Sequence, residues 1–307
     1  MPGMANGVKL ELPEGLASRS PTRSDIDAAV SVIAASEEAM QGVVDVIAED
    51  VRSDWERPSF DLSSDAVVVT DAGRIVAYAE VFFGRAWVHV HPHHGARGIG
   101  AAILGWTESR ARELGSDKVG QTVPDPNARA ADLLSSNGYR VRWETWVFQK
   151  DLDTEPAEPR LPDGIRLRTF DEERDARATY ELIDTAFSDW PDRDPGFGFD
   201  DWEASFLRRE DFDPSLTFLV EDDGELVGVA LCLVYDDEGW VQQLAVERSH
   251  RGRGLGGALL QTAFREFYRR GLRTAGLSTE SRTGARGVYE HVGMKIGRSF
   301  KRYSKDL

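Results

Sequence analysis

The sequence predicts an α/β (α+β) protein of two tandem domains, each a mixed, mostly antiparallel sheet flanked by helices. Three observations carry that prediction: one set of segments recurs about 150 residues apart, each copy holds a β-hairpin turn, and β-α units follow the hairpin. At roughly 150 residues per domain, the 307 residues suit two domains.

The repeat comes first. Leu12-Pro13-Glu14-Gly15 returns as Leu161-Pro162-Asp163-Gly164, an offset of 149. Asp71-Ala72-Gly73-Arg74 returns as Asp222-Asp223-Gly224-Glu225 at 151, and Arg97-Gly98-Ile99-Gly100 as Arg253-Gly254-Leu255-Gly256 at 156. Gly138-Tyr139 answers Gly293-Met294 at 155. Matches in one order with slowly drifting offset describe a duplicated domain rather than a solenoid. The polar, proline-bearing run 153–160 reads as a linker. The expected domains are therefore 8–152 and 161–307.

The second copy shows the order of elements. A short strand at Ile165 to Arg168 precedes a helix with Tyr180, Ile183 and Phe187 on one face. A second helix follows around Trp202 to Arg209. Leu216 to Val220 and Leu226 to Tyr235 flank Asp222-Asp223-Gly224, a hairpin signal. Trp240 to Val246 is a strand leading through a glycine-rich loop into a helix at Ala258 to Arg270. A strand near Ala275 to Thr279, a helix near Ala285 to His291 and a last strand close the copy. A hairpin meander feeding β-α units implies a mixed sheet with helices on its faces.

Composition removes several classes of function. Lys and Arg number 37 against 53 Asp and Glu, a net charge of −16. Nucleic-acid binding and docking on anionic membrane both need surplus cations, so neither partner is expected. A single cysteine, Cys232, leaves no intrachain disulfide and no cysteine-based metal centre. It sits in the apolar run Val229 to Val234 and reads as a small core residue. Met1 to Gly7 has no apolar stretch of signal-peptide type and no segment approaches a membrane span, so a cytoplasmic location is expected.

The strongest chemical signal is Val241 to Val246, then Arg251-Gly252-Arg253-Gly254-Leu255-Gly256-Gly257 opening a helix. Glycines let backbone approach a ligand, and free N–H groups at a helix start bind anions. Arg251 and Arg253 add charge at the mouth, so a pyrophosphate suits the loop. Gly252, Gly254 and Gly257 also satisfy the dinucleotide fingerprint, with Glu280 where a ribose-binding acid belongs. That fingerprint should open the first β-α unit of a parallel sheet, whereas a hairpin precedes it here. The first copy breaks it at Ile103.

The alternative is a resemblance to the GCN5-related N-acetyltransferase (GNAT) family, covering nearly the whole chain twice. Arg251 to Gly256 is similar to that family's Arg/Gln-x-x-Gly-x-Gly/Ala loop, after the fourth strand. Ala285-Arg286-Gly287-Val288-Tyr289-Glu290-His291-Val292-Gly293-Met294 is similar to its Ala-x-x-x-Tyr-x-x-x-Gly-Phe segment. The double layout further resembles tandem acetyltransferases of the mycothiol synthase type, although Trp240 stands where that type carries a glutamate on the fourth strand.

The resemblance implies acetyl-CoA as co-substrate, no metal, and direct attack of an amine on the thioester in a ternary complex. Pantetheine would run between splayed fourth and fifth strands, with backbone N–H groups of Leu244, Ala245 and Val246 on the thioester. The loop Arg251, Gly252, Arg253, Gly254, Leu255, Gly256 and Gly257 would hold the rest of the cofactor. Arg282 stands beside it, where the first copy keeps Asn127, a residue common in the family there. Tyr289 would protonate the departing thiolate; its competing reading is a core tyrosine. The first copy has Gly95 in place of Arg251 and Leu134 in place of Tyr289, and Leu134 cannot donate a proton, so the resemblance implies a catalytic second copy and a degenerate first one.

An alkylammonium must lose a proton before it attacks, and Glu238 before the fourth strand and Glu280 after the fifth are the candidate bases. The segment 187–202 interleaves aromatics with aspartates, suiting a small cationic amine at Asp189, Trp190 and Trp202. His89-Val90-His91-Pro92-His93-His94 invites a metal, but it falls on the first copy's strand-to-loop turn, where the family uses none. The expected activity is an N-acetyltransferase with a small-molecule acceptor, as a monomer or a homodimer. The rival is a non-catalytic acyl-CoA-binding sensor or partner module.

Overall fold

The two matching turns at Ala72-Gly73 and Asp223-Gly224 hold the chain in left-handed backbone. Ala72 and Gly73 have φ of +46° and +83°, and Asp223 and Gly224 have +51° and +88°. Positive φ at both central residues is what a two-residue turn needs to match strand twist, and glycine at the second position keeps its cost low. The computed structural model describes residues 10–188, 190 and 198–307; Val8 and Lys9, at the start of the first expected domain, lie outside them.

The chain runs β1 (Leu16–Arg19), α1 (Ile26–Gln41), α2 (Ala48–Trp55), α3 (Leu62–Asp65), β2 (Ala66–Asp71), β3 (Arg74–Phe82), β4 (Arg85–Val90), α4 (Ile99–Glu113), β5 (Lys118–Pro124), α5 (Ala128–Ser136) and β6 (Arg140–Asp151). It continues with β7 (Ile165–Thr169), α6 (Glu172–Ser188), α7 (Phe199–Phe206), β8 (Thr217–Asp222), β9 (Glu225–Tyr235), β10 (Glu238–Val246), α8 (Leu255–Arg269), β11 (Thr274–Glu280), α9 (Arg286–His291) and β12 (Lys295–Asp306).

These elements form two compact units, one of residues up to Arg142 with Phe300–Leu307, the other Trp143–Ser299. In the first unit β1 to β5 lie side by side in sequence order, and Phe300 to Asp306 of β12 pair antiparallel with β5. In the second the order is β7, β8, β9, β10, β11, with Thr145 to Asp151 of β6 antiparallel to β11. Each sheet is antiparallel except at one neighbour pair, β4 with β5 and β10 with β11. The compact units therefore depart from the sequence-order limits 8–152 and 161–307, because each takes its last strand from the other half of the chain. A strand's alternating pattern says which face is apolar but not which open edge it will cover.

The second unit has a core on each face of its sheet. Under α8 and α9 lie Phe148, Val220, Ala230, Cys232, Val241, Leu259, Phe264, Phe267 and Leu277. Under α6 and α7 lie Ile183, Trp202, Phe206, Leu219, Val229, Leu231 and Ala245. Cys232 is fully buried, and burial pushes its thiol pKa well up, as suits an inert core residue. The 153–160 run lies along α8, where Arg265 pairs with Glu155 at 3.0 Å and donates to the Pro156 carbonyl at 2.7 Å. No helix among the described residues is long and apolar enough to cross a membrane.

Candidate active site

In the second unit the parallel ladder between β10 and β11 covers Glu238↔Thr274, Gly239↔Ala275 and Trp240↔Gly276. Beyond Trp240 the strands part. On its other side β10 stays paired with β9 through Val246, with a bulge between Val241 and Gln243. A bulge bends a strand and raises its twist, which turns β10 away from β11 here. The result is a gap lined by β10 backbone from Gln243 to Val246 and by β11 from Leu277 to Glu280. Backbone N–H groups along such an edge are available to a ligand that lies in it as an added strand.

Strand alternation sorts the side chains on the two sides of this gap. Val241, Leu244 and Val246 face α8 and α9, and so does Leu277. Tyr289 projects from α9 into the same layer, 7% exposed, with its ring 5.3 Å from Phe148. Burial raises its hydroxyl pKa, and a hydrogen bond with Thr279 on the β11 lip opposes that rise. Tyr289 is thus both core packing and a protonated hydroxyl beside the gap. The opposite, α6–α7 side carries Glu238, Trp240, Gln243, Ser278 and Glu280 on the two strands.

At the far end of β10, Gly252 and Gly254 take φ of +78° and +85°, and Gly254 caps α8. The first ladder bond of α8 is Ala258 N to Gly254 O, at 3.0 Å, so the N–H groups of Leu255, Gly256 and Gly257 stand outside the ladder. A Cβ at Gly252 or Gly254 would meet nothing within 4 Å, leaving the cradle open on that side. Free N–H groups at the start of a 15-residue helix attract a diphosphate. The cradle therefore fits the acyl-CoA expected from the sequence.

The loop arginines are used inward. Arg251 donates to the Val246 carbonyl and to the Ala186 carbonyl in the last turn of α6, each at 3.0 Å. Arg253 pairs with Asp222 of the hairpin at 2.8 Å, and His250 meets the same carboxylate at 3.2 Å. The Arg253 guanidinium, and then His250, hold the Asp222 carboxyl below the usual range. The sequence aims both arginines at phosphate and does not reveal Asp222 as the anchor of Arg253, although Asp71, His94 and Arg97 repeat that arrangement in the first unit. Outside this loop lies a hollow of about 500 Å³ lined by Asp222, Asp223, Glu225, Glu247 and His250; so many carboxylates repel a diphosphate.

The two candidate bases differ in position. Glu238 lies at the closed end of the gap, its Oε1 accepting from Gln149 at 3.1 Å. Glu280 lies at the open end of β11, paired with Arg282 Nε at 2.6 Å, while that guanidinium stacks 3.7 Å over the Trp143 ring. On the acceptor side, Trp202 is 2% exposed and donates its indole N–H to Gln243 Oε1 at 2.9 Å. Trp190 stacks on Phe187 at 4.3 Å, and Asp189 lies outside the described residues. The strand position of Gln243 is legible in the sequence; its partner Trp202, 41 residues away, is not. Among the described residues no group of three or more His, Cys, Asp or Glu could hold a metal ion.

The acetyltransferase (GNAT) family model matches residues 34–139 and 176–294. The chain belongs to that family. It is an N-acetyltransferase with two such regions in tandem. The mycothiol acetyltransferase of Thermomonospora curvata is 33% identical over 72% of this chain and 71% of its own. A GCN5-related N-acetyltransferase from Sphaerobacter thermophilus superposes with a TM-score of 0.77 at 32% identity, covering 96% of both chains. A tandem GNAT protein from the clavulanic acid biosynthesis pathway shares the fold, with a TM-score of 0.69 at 17% identity over 95% of this chain and 98% of its own.

The first unit carries the same parts differently. Its β4–β5 ladder is registered at Arg85↔Gly120, and β3 and β4 pair from Ala77↔Val90 to Phe82↔Arg85 without a bulge. Arg129 of α5 donates to the Gly95 carbonyl and crowds the loop, since a Cβ at Gly95 would lie 2.8 Å from its guanidinium. Asn127 caps α5 through Ala130 N and turns its amide onto the Met40 sulfur of α1. Leu134, 2% exposed, fills the place that Tyr289 has in the other unit.

Proposed function

We propose that the second copy, 161–307, transfers the acetyl group of acetyl-CoA to a small, cationic primary amine by direct attack in a ternary complex. The copy 8–152, joined through the linker 153–160, acts as a degenerate scaffold. One observation carries the reading: the gap at the β10 bulge opens on one side to Tyr289 and on the other to a separate, polar face. Both substrates can then meet across the sheet.

In this reading the N–H groups of Gly252 to Gly257 bind the diphosphate, while Arg251 and Arg253 hold the loop in shape. Backbone at Leu244, Ala245 and Val246 hydrogen-bonds the pantetheine and donates to the oxygen that becomes negative as the amine adds. Tyr289 gives its proton to the sulfur as the C–S bond breaks. Glu280, at the open end and steadied by Arg282, takes the proton the amine releases, directly or through water; Glu238 is too far toward the closed end to be the first choice. Trp190, Asp189 and the aromatic layer around Trp202 draw the cationic acceptor. Relatives named mycothiol acetyltransferase support an amine acceptor, while Trp240 at the glutamate position favours an acceptor different from theirs.

Calorimetric titration of the full chain with acetyl-CoA, followed by an amine screen for CoA release, tests the proposal. One saturable site per chain and amine-dependent release are expected. Binding without release from any amine would favour the non-catalytic module, and no binding would overturn both.

A further inference from the structure

Gln243 is the first residue of β10 after the bulge, and its side chain stands on the lip of the gap on the α6–α7 side. Its carboxamide is not free to turn. An indole N–H can only donate, so the amide must present its oxygen to Trp202 and direct its NH2 group elsewhere. The anchor itself is fixed: Trp202 packs among Tyr180, Phe199 and Phe206 with ring centroids 5.7, 6.1 and 6.0 Å away. Gln243 is half-buried, and its NH2 group has no protein partner among the described residues. Facing it across the gap, alternation along β11 puts Ser278 and Glu280 on the other lip.

A rigid pair of donors beside the place where an amine must attack reads an oxygen. We infer that Gln243 hydrogen-bonds an oxygen carried by the acceptor close to its amine, and that Trp202 is the positioning residue which aims it. The substrate class this selects is the amine with a neighbouring hydroxyl or carbonyl oxygen, such as an amino alcohol, an α-amino carbonyl compound or an amino sugar. Plain alkylamines and polyamines leave the donors unpaired once the acceptor covers the gap, and an unpaired buried donor is penalised more than a made bond is rewarded. The first unit cannot do this, because the register position of Gln243, opposite Leu231, is held there by Trp87, opposite Glu80.

The inference rests on the proposed acetyl transfer in the second copy, and its test separates the two. Steady-state kinetics with acetyl-CoA compares 2-aminoethanol with propylamine as acceptors in the wild-type chain and in Gln243→Leu, Trp202→Phe and the double variant. The wild type is expected to favour 2-aminoethanol about ten- to a hundred-fold in kcat/KM. Gln243→Leu should close that preference to within about two-fold, mainly through the 2-aminoethanol KM. Trp202→Phe should move the ratio the same way by less, and should add nothing to Gln243→Leu. Acetyl-CoA affinity is set on the other face and stays. A preference that survives Gln243→Leu in a chain that still melts cooperatively, or a wild type without preference, overturns the inference alone. Absence of CoA release with every amine overturns the transfer reading and this inference with it.

Discussion

The two units place different chemistry on the equivalent face of their sheets. At matching ladder positions the first has Tyr78 opposite His89 and Glu80 opposite Trp87, where the second has Val229 opposite Ala245 and Leu231 opposite Gln243. In the first unit Trp55 donates to the Tyr78 hydroxyl at 2.8 Å, and that hydroxyl donates to Glu80. Burial raises the Glu80 carboxyl pKa and lowers that of His89 to about 4. In the second unit this face is apolar under Trp202, and its polar groups, Gln243 with Ser278 and Glu280, line the gap. The other face differs in the opposite sense, with Leu134 in the first unit and Tyr289 in the second. One copy has spent its polar groups on holding itself shut; the other keeps them at the edge where a substrate would lie.

The sharpest test of that contrast is Tyr289→Phe. It keeps the ring on Phe148 and removes the proton, so turnover should fall about a hundred-fold or more while acetyl-CoA binding holds. Leu134→Ala is its counterpart: a cavity of this kind costs about 2–5 kcal/mol in denaturant melts, with kcat of the folded chain retained. Equal kinetic losses in both variants would mean that the units share the reaction.

A second test uses pH. His89 binds its proton near pH 4 in the folded chain and near pH 6.5 unfolded, so between those values the unfolded state holds more protons. Stability should therefore fall as pH drops from about 6.5 to about 4, by at most about 3 kcal/mol from this group. Urea melts of His89→Leu compared with wild type at pH 7 and pH 4.5 read it directly, since the variant lacks this acid limb. The second unit has Ala245 at that position and no such limb. Hydrogen exchange resolved along the chain should show the loss in the first unit. A wild-type acid limb unchanged in the variant would place the titration elsewhere.

The smallest expected effect compares the two loop glycines. Gly98 and Gly254 cap α4 and α8 at φ of +76° and +85°, so alanine at either should cost about 1 kcal/mol. Gly254→Ala should also weaken acetyl-CoA binding several-fold by calorimetry, whereas Gly98→Ala should not. Equal losses of affinity would show that the first loop holds cofactor too.

The duplication, the hairpins, the glycine loop and the family were all open to reading in the sequence, because each rests on neighbours within a few residues or on a repeat that can be counted. Tyr289 was found through its motif, and its Thr279 partner was not, since the two meet only when α9 folds over β11. Glu238 and Glu280 looked alike as acids flanking strands. The three-pair ladder between β10 and β11 separates them, putting one at the closed end and the other at the mouth. Trp202 reads in the sequence as an acceptor-binding aromatic in an acidic segment, whereas helix packing buries it and gives its N–H to Gln243.

By itself, then, the sequence determined two copies of one α/β domain, where the two matching hairpin turns fall, and which glycine-rich loop opens a helix. Local backbone preference and alternation are enough for that, since glycine φ, turn length and apolar period act over a handful of residues. Only the tertiary structure decided which edge each last strand covers, where β10 leaves β11, and that Arg251 and Arg253 brace the loop from within. Those choices depend on pairing register and on groups far apart in the chain competing for the same partner. No local pattern records that competition.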